Sequence, residues 1–377
     1  MKALSSPPKV VLVTGHYWYS KRRAGFHWLA DAFQDLGWEA VFLTTTISWL
    51  SYLRGDHRTK YPDVWNQRNR LIRVEHNLYS FVWFTPFHPA HLRSFVLNQL
   101  SRPIFRLYGA LPLGEVAEHV RAADLFIFES TPGLLLFERF KKINPKAKFI
   151  YRVSDDLRLL RNHPVVLEAE EKALPFFDLV SVPSMYLWEK FNGKAKNLRL
   201  HFHAIHKEFF DQSYANPYAG LSGPHCVFVG ISHFDHDFLE RASRLFPDWQ
   251  FHIIGPIQQF VRRPNVHYYG EKPFLETIPY IKWADIGLAN RSYSPGAESL
   301  SDSLKIVQYT YVRLPIVAPA FLGSRRSNLY TYQPGNDESI KRALLQAREH
   351  DRKSILINDI YSWKELVEKL IQEAGAD

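Results

Sequence analysis

The 377-residue chain carries 47 Lys and Arg against 38 Asp and Glu, a formal net charge of +9, and is 46% hydrophobic and 15% aromatic. That composition gives a folded protein with room for two domains and excludes a largely disordered one. A single cysteine, Cys226, excludes an intrachain disulfide.

The excess of cations beside so many aromatics points to an anionic partner, with nucleic acid and a bacterial membrane face as the two candidates. The basic residues are scattered and form no nucleic-acid motif, so nucleic acid ranks last. No stretch of about 18 apolar residues and no leader of signal-peptide type is present. The expectation is a cytosolic protein without a spanning helix.

In chain order, Lys9 to Thr14 predicts a strand, Gly15 a turn, Ala24 to Leu36 an amphipathic helix closed by Gly37, and Trp38 to Leu43 the next strand. Ala123 to Phe128 and Lys148 to Val153 predict further strands, separated by a helix from Gly133 to Ile143. The polar, turn-rich stretch Ser213 to Pro224 reads as a linker. After it the pattern restarts, with a strand from Cys226 to Val229, a turn at Gly230, a helix from Asp237 to Phe246 and a strand from Gln250 to Ile254. Val266 to Tyr269, Ile286 to Asn290 and Pro315 to Ala318 predict three more strands, and a final helix follows Ser362. Strands alternating with helices at these spacings mean βαβ units and parallel sheets. The fold class is therefore α/β, with two Rossmann-like doubly wound domains facing across a cleft, the GT-B architecture. Residues 1–212 are assigned to the first domain, 213–360 to the second, and 361–377 to a helix crossing back to the first.

The segment Ser299 to Pro315 places Ser301, Asp302 and Ser303 ahead of Leu304, Val307, Gln308 and Tyr311 at helical spacing. The free N–H groups of that helix start, together with the Lys305 ammonium, suit a diphosphate without a glycine-rich loop. An ordinary capped helix with a solvated lysine is the plainer reading of the same residues. Asp155, at the carboxyl end of a predicted strand, stands where a base for an acceptor hydroxyl is needed, or else caps a helix beginning near Asp156. His233, Asp235, His236 and Asp237 contain an Asp-x-Asp pattern, which reads better as helix capping than as a metal site. Two aromatic stretches, Trp49 to Arg54 and Phe81 to Tyr108, interleave rings with His91, Arg93, Arg102 and Arg106. As a group they suggest contact with anionic lipid; as single residues each ring is more simply core.

Taken together, several segments resemble the GumK-type glucuronosyltransferases, glycosyltransferase family 70. They are Arg22-Arg23-Ala24, Leu53-Arg54-Gly55-Asp56, Phe128-Glu129-Ser130, Asn144 to Lys148, Tyr151-Arg152-Val153-Ser154-Asp155, Tyr269-Gly270-Glu271, Lys305 with Gln308-Tyr309, and Pro334-Gly335-Asn336. The resemblance implies an inverting enzyme that needs no metal and no other cofactor. Its donor would be a UDP-sugar, UDP-glucuronate in the relatives. Its acceptor would be a mannose on a polyprenyl-diphosphate-linked oligosaccharide, reached by peripheral docking on the anionic cytoplasmic face of the bacterial inner membrane.

By the same resemblance Asp155 matches the catalytic base. Lys305 offsets charge on the departing diphosphate with Ser301 and Ser303 assisting, Gln308 reaches the nucleotide, Glu271 contacts uridine or ribose, and the turn Gly230-Ile231-Ser232 approaches them. Arg22, Arg23 and Glu189 fall on the acceptor side. Ser232 and Arg291 depart from the relatives' residues, which leaves UDP-glucose or GDP-mannose open as alternative donors. Arg291 suits a glucuronate carboxylate or a phosphate, or is simply exposed.

Overall fold

A computed structural model describes residues 6–21, 23–160, 162–231 and 233–376. The chain divides into two compact units, one of Met1–Pro183, Leu187–His201 and Trp363–Asp377, the other of Ser184–Tyr186 and Phe202–Ser362. The change of unit at Phe202 precedes the expected boundary at position 213, because the short strand Leu198–Leu200 completes the first sheet and the chain then leaves it.

The first unit is built on eight strands: β1 (Lys9–Thr14), β2 (Glu39–Ser48), β3 (Leu71–Glu75), β4 (Leu78–Thr85), β5 (Leu125–Glu129), β6 (Lys148–Arg152), β7 (Leu179–Val182) and β8 (Leu198–Leu200). Their order across the sheet is β3-β4-β2-β1-β5-β6-β7-β8, and every pairing is parallel except β3 with β4. The central strands read as unbroken apolar runs because both faces are covered. Val10 to Val13 and Leu125 to Phe128 are essentially inaccessible, and each large side chain so buried contributes roughly 1.5–3 kcal/mol. The strand order reverses between β1 and β5, and a doubly wound sheet opens a crevice at the carboxyl ends of its strands at that reversal. The last helix, Trp363–Ala374, belongs to this unit, where the Trp363 ring meets Gly25 at the start of the Gly25–Asp35 helix.

The second unit holds six strands, all parallel: β9 (His225–Val229), β10 (Gln250–Ile254), β11 (Val266–Gly270), β12 (Ile286–Leu288), β13 (Ile316–Pro319) and β14 (Leu329–Tyr332). Their order, β11-β10-β9-β12-β13-β14, reverses between β9 and β12.

Three sequence expectations are corrected. The expected helix from Gly133 begins as a 3₁₀ segment, Pro132–Leu136, and is α-helical only over Phe137–Ile143. Close packing fixes that entry, since a Cβ on Gly133 would lie 2.7 Å from Val13. The strand expected to end at Leu43 runs on to Ser48, with a register shift between Thr44 and Ile47. The aromatic stretch from Phe81 to Tyr108 is not one surface: Phe81, Trp83, Phe84, Phe105 and Tyr108 are core. The first three lie on β4, where an aromatic-rich strand packs inward.

Candidate active site

In the first unit the strand ends at the reversal carry a polar cluster. Glu129, the last residue of β5, is buried. It accepts hydrogen bonds from Thr14 Oγ1, from the Gly15 amide at 3.2 Å and from Ser154 Oγ at 2.9 Å, and it pairs with His16 Nε2 at 3.2 Å. Burial works against its charge, but His16 and the two hydroxyls outweigh it and hold the carboxyl below its ordinary range. Burial likewise opposes a charged His16, yet the Glu129 hydrogen bond and charge leave the imidazole raised. Next to Glu129, Ser130 Oγ accepts from the amides of Ser154 at 2.8 Å and Asp155 at 3.1 Å, fixing the turn after β6.

Asp155 stands at the open edge of this cluster. The surrounding protein strips part of its hydration and Glu129 adds negative charge, so its carboxyl is raised despite the opposing His16. A raised carboxylate that still reaches solvent is a suitable proton acceptor. The expected helix cap is absent, and the hydrogen bond that closes the local turn is made by its neighbour. Asp156 is buried, accepts from the Arg158 amide at 2.9 Å and pairs with Lys190 at 2.8 Å. The segment after it is a turn rather than a helix.

Of the expected acceptor-side residues, Arg22 lies outside the described residues. Arg23 is engaged by Asp31 at 2.6 Å and by the Trp18 and Trp28 rings, although it also lines a cavity that opens at Gly15 and His16. Glu189 is exposed on the Met185–Phe191 helix. Glu129 and His16 were given no role from the sequence. The available signal was a carboxylate and hydroxyl, Glu129-Ser130, closing an otherwise apolar strand.

In the second unit the backbone ends of β9, β10 and β11 are tied together. The Gly230 amide donates to Ile254 O at 3.0 Å and the Gly255 amide to Gly270 O at 2.7 Å, while a Cβ on Gly255 would fall 1.8 Å from Gly230 O. The helix Leu304–Tyr311 starts beside them, with Ser303 as its N-cap residue. Ser303 makes no side-chain cap bond, whereas Ser301 is buried and donates to Asp302 at 3.0 Å.

Lys305 lies over the Phe228 ring, its Nζ 3.8 Å from the centroid, in space that exists because residue 230 has no side chain: a Cβ there would be 2.6 Å from Nζ. Lost hydration, reinforced by Arg291, depresses this ammonium to about 7. Gln308, one turn on, is buried, and Tyr309 anchors the helix by accepting from the Val229 amide at 3.0 Å. Glu271 follows β11 at an exposed position. Arg291 is half-buried, in a segment whose next residue, Ser292, donates to His233 O at 2.8 Å. Ser232 lies outside the described residues.

The Asp-x-Asp pair is spent on structure. Asp235 caps the His236–Leu245 helix through the Phe238 amide at 3.1 Å and accepts from Tyr332 at 3.0 Å, while Asp237 pairs with Arg241 at 2.7 Å. Among the described residues no group of three His, Cys, Asp or Glu could hold a metal ion.

Solved structures share this architecture across nearly the whole chain. Sucrose-phosphate synthase from Thermosynechococcus elongatus has a TM-score of 0.60 at 14% identity, covering 97% of this chain and 98% of that one. The trehalose-6-phosphate synthase OtsA has a TM-score of 0.59 at 11% identity, covering 97% and 99%. The fold is that of the GT-B glycosyltransferases.

Residues 12–183 match the family model for the N-terminal domain of glucuronosyltransferase GumK. The UDP-glucuronate:glycolipid 2-beta-glucuronosyltransferase of Xanthomonas campestris pv. campestris is 29% identical over 371 residues, covering 97% of this chain and 89% of that protein. The chain is thus similar to the GumK-type glucuronosyltransferases, in its N-terminal part by the family model and along nearly its whole length by the Xanthomonas protein.

Proposed function

We propose that this enzyme transfers glucuronate from UDP-glucuronate to a hydroxyl of a polyprenyl-diphosphate-linked oligosaccharide, with inversion and without a metal, on the cytoplasmic face of the bacterial inner membrane. The observation that carries the reading is the end-to-end similarity to the Xanthomonas glycolipid glucuronosyltransferase.

In the reaction the acceptor oxygen attacks the anomeric carbon as its proton passes to Asp155, and the bond from that carbon to the diphosphate breaks on the opposite face. Glu129, charged and buried nearby, favours the protonated form of Asp155 that results. The leaving UDP gains negative charge, which Lys305 and the amides at the Leu304–Tyr311 helix start offset in place of a metal. Gln308, Ser303 and Glu271 serve the nucleotide, and Arg291, close enough to act on Lys305, suits the glucuronate carboxylate.

The test is incubation with UDP-glucuronate and a polyprenyl-diphosphate oligosaccharide, with and without EDTA, followed by product mass and anomeric configuration. A mass gain of one glucuronate, unchanged by EDTA, with a β linkage is expected; an EDTA-sensitive or configuration-retaining product rejects the mechanism. Because Arg291 departs from the relatives' residue, UDP-glucose and GDP-mannose belong in the same donor panel. Preferential turnover of either reassigns the donor.

A further inference from the structure

The first unit has two large cavities, of which one begins at the Glu129 cluster and the other lies apart from it. One, of about 1080 Å³, runs from Gly15 and His16 past Lys21 to Arg54 and Arg58. The other, of about 1060 Å³, is lined by Arg54, His91, Leu92, Arg93, Arg158 and Asn162. Arg54 is common to both.

The cations divide into two kinds. Arg58 is already neutralised by Asp56 at 2.6 Å and clamps Gly15 O and Thr46. Arg158 pairs with Glu171 at 3.4 Å. Lys21, Arg54 and Arg93 are exposed and have no acidic partner among the described residues. The walls therefore present positive charge that the fold itself does not consume.

Each cavity also adjoins a bare apolar element. The short helix Trp49–Leu53 ends at Arg54, and Leu53 is 78% exposed with Trp49 and Tyr52 half-exposed beside it. The helix Phe95–Arg106 begins directly after Arg93 and Ser94. Its outward residues include Phe95 at 77% and Leu100 at 71% exposure, with Val96, Leu97 and Ile104 also exposed. Such a face lies in the interface of a bilayer, apolar side down, with cations at headgroup level. Apolar surface leading to unpaired cations, and from there to a cavity, mirrors the order of tail, phosphate and glycan in a phosphorylated lipid.

We propose that Arg54, with Lys21 in one cavity and Arg93 in the other, holds the diphosphate of a polyprenyl-diphosphate lipid, its glycan directed along the first cavity towards His16 and Asp155. This rests on the lipid-linked acceptor proposed above. Arginine suits the task because its planar fork binds phosphoryl oxygens in pairs. A glycerophospholipid headgroup offers one phosphate of the same chemistry, so the test has to separate the two sources.

The full chain is floated with phosphatidylcholine vesicles containing either undecaprenyl diphosphate or phosphatidylglycerol at equal surface charge. The diphosphate vesicles should bind roughly tenfold tighter or more. Arg54→Gln with Arg93→Gln should remove that preference, and Arg54→Lys should keep part of it. Equal binding to both vesicles, or an unaltered preference in the double variant, overturns the site. Calorimetry with UDP-glucuronate runs in parallel. Wild-type protein that fails to bind it sinks the glucuronosyltransferase reading and leaves the vesicle result standing separately.

Discussion

Asp155 differs from the acidic residues around it in how its carboxylate is engaged. Glu129 and Asp156 are consumed by hydrogen bonds and ion pairs, whereas among the described residues none is made to the Asp155 carboxylate. Asp155→Asn should lower transfer by a factor on the order of 10²–10⁴, the usual yield of a positioned base, while calorimetry shows UDP-glucuronate binding unchanged. Its raised pKa places the loss of the free base above the ordinary carboxylate range, so the acid limb of kcat/KM should shift upward and vanish in that variant. Lys305 gives a second pH dependence of opposite sign. Its ammonium loses its proton near 7 in the free protein, and a bound diphosphate favours the charged form. UDP-glucuronate affinity should therefore be constant below pH 7 and fall as pH rises through it, with proton uptake seen as a buffer-dependent heat; Lys305→Met should abolish both effects. The placement of both residues was legible in the sequence, because a strand end and a helix start are local patterns. Glu129 and His16 were not, since they meet only when β5 pairs with β1, a contact spanning more than a hundred positions.

At the scale of elements, the second unit depends on how closely three turns approach. Gly230→Ala would place a methyl carbon 2.6 Å from Lys305 Nζ and 2.8 Å from the Phe228 ring. The lysine has to leave its seat, so UDP-glucuronate binding should weaken roughly ten- to a hundredfold, the worth of a hydrogen bond to a charged group. Circular dichroism should remain native, and a variant that binds as wild type would show that Lys305 acts from another position. The alternation of strand and helix made both sheets legible. The strands β3, β4, β7, β8 and β14 were not, because they are edge or near-edge elements. On β4, Phe81, Trp83 and Phe84 gave the same compositional signal as a lipid-facing stretch, and burial alone separates the two.

At the scale of the whole molecule, no helix among the described residues is long and apolar enough to cross a membrane; the membrane contact proposed above rests on exposed apolar surface elements. Leu100→Asp with Ile104→Asp, both exposed on the Phe95–Arg106 helix, should reduce binding to anionic vesicles at least about tenfold without changing the melting temperature, since neither side chain supports the core. Retained sedimentation with vesicles would move the membrane contact elsewhere.

The first unit draws on both extremes of the sequence, its Gly25–Asp35 helix resting against Trp363 of the Trp363–Ala374 helix. During translation, therefore, the half made first stays unfinished until the ribosome has passed the half made second. Nascent chains stalled after Leu198–Leu200 has emerged but before Trp363–Ala374 has should expose the Gly25–Asp35 helix to chaperones and proteases, even though every strand of the sheet beneath it is already made.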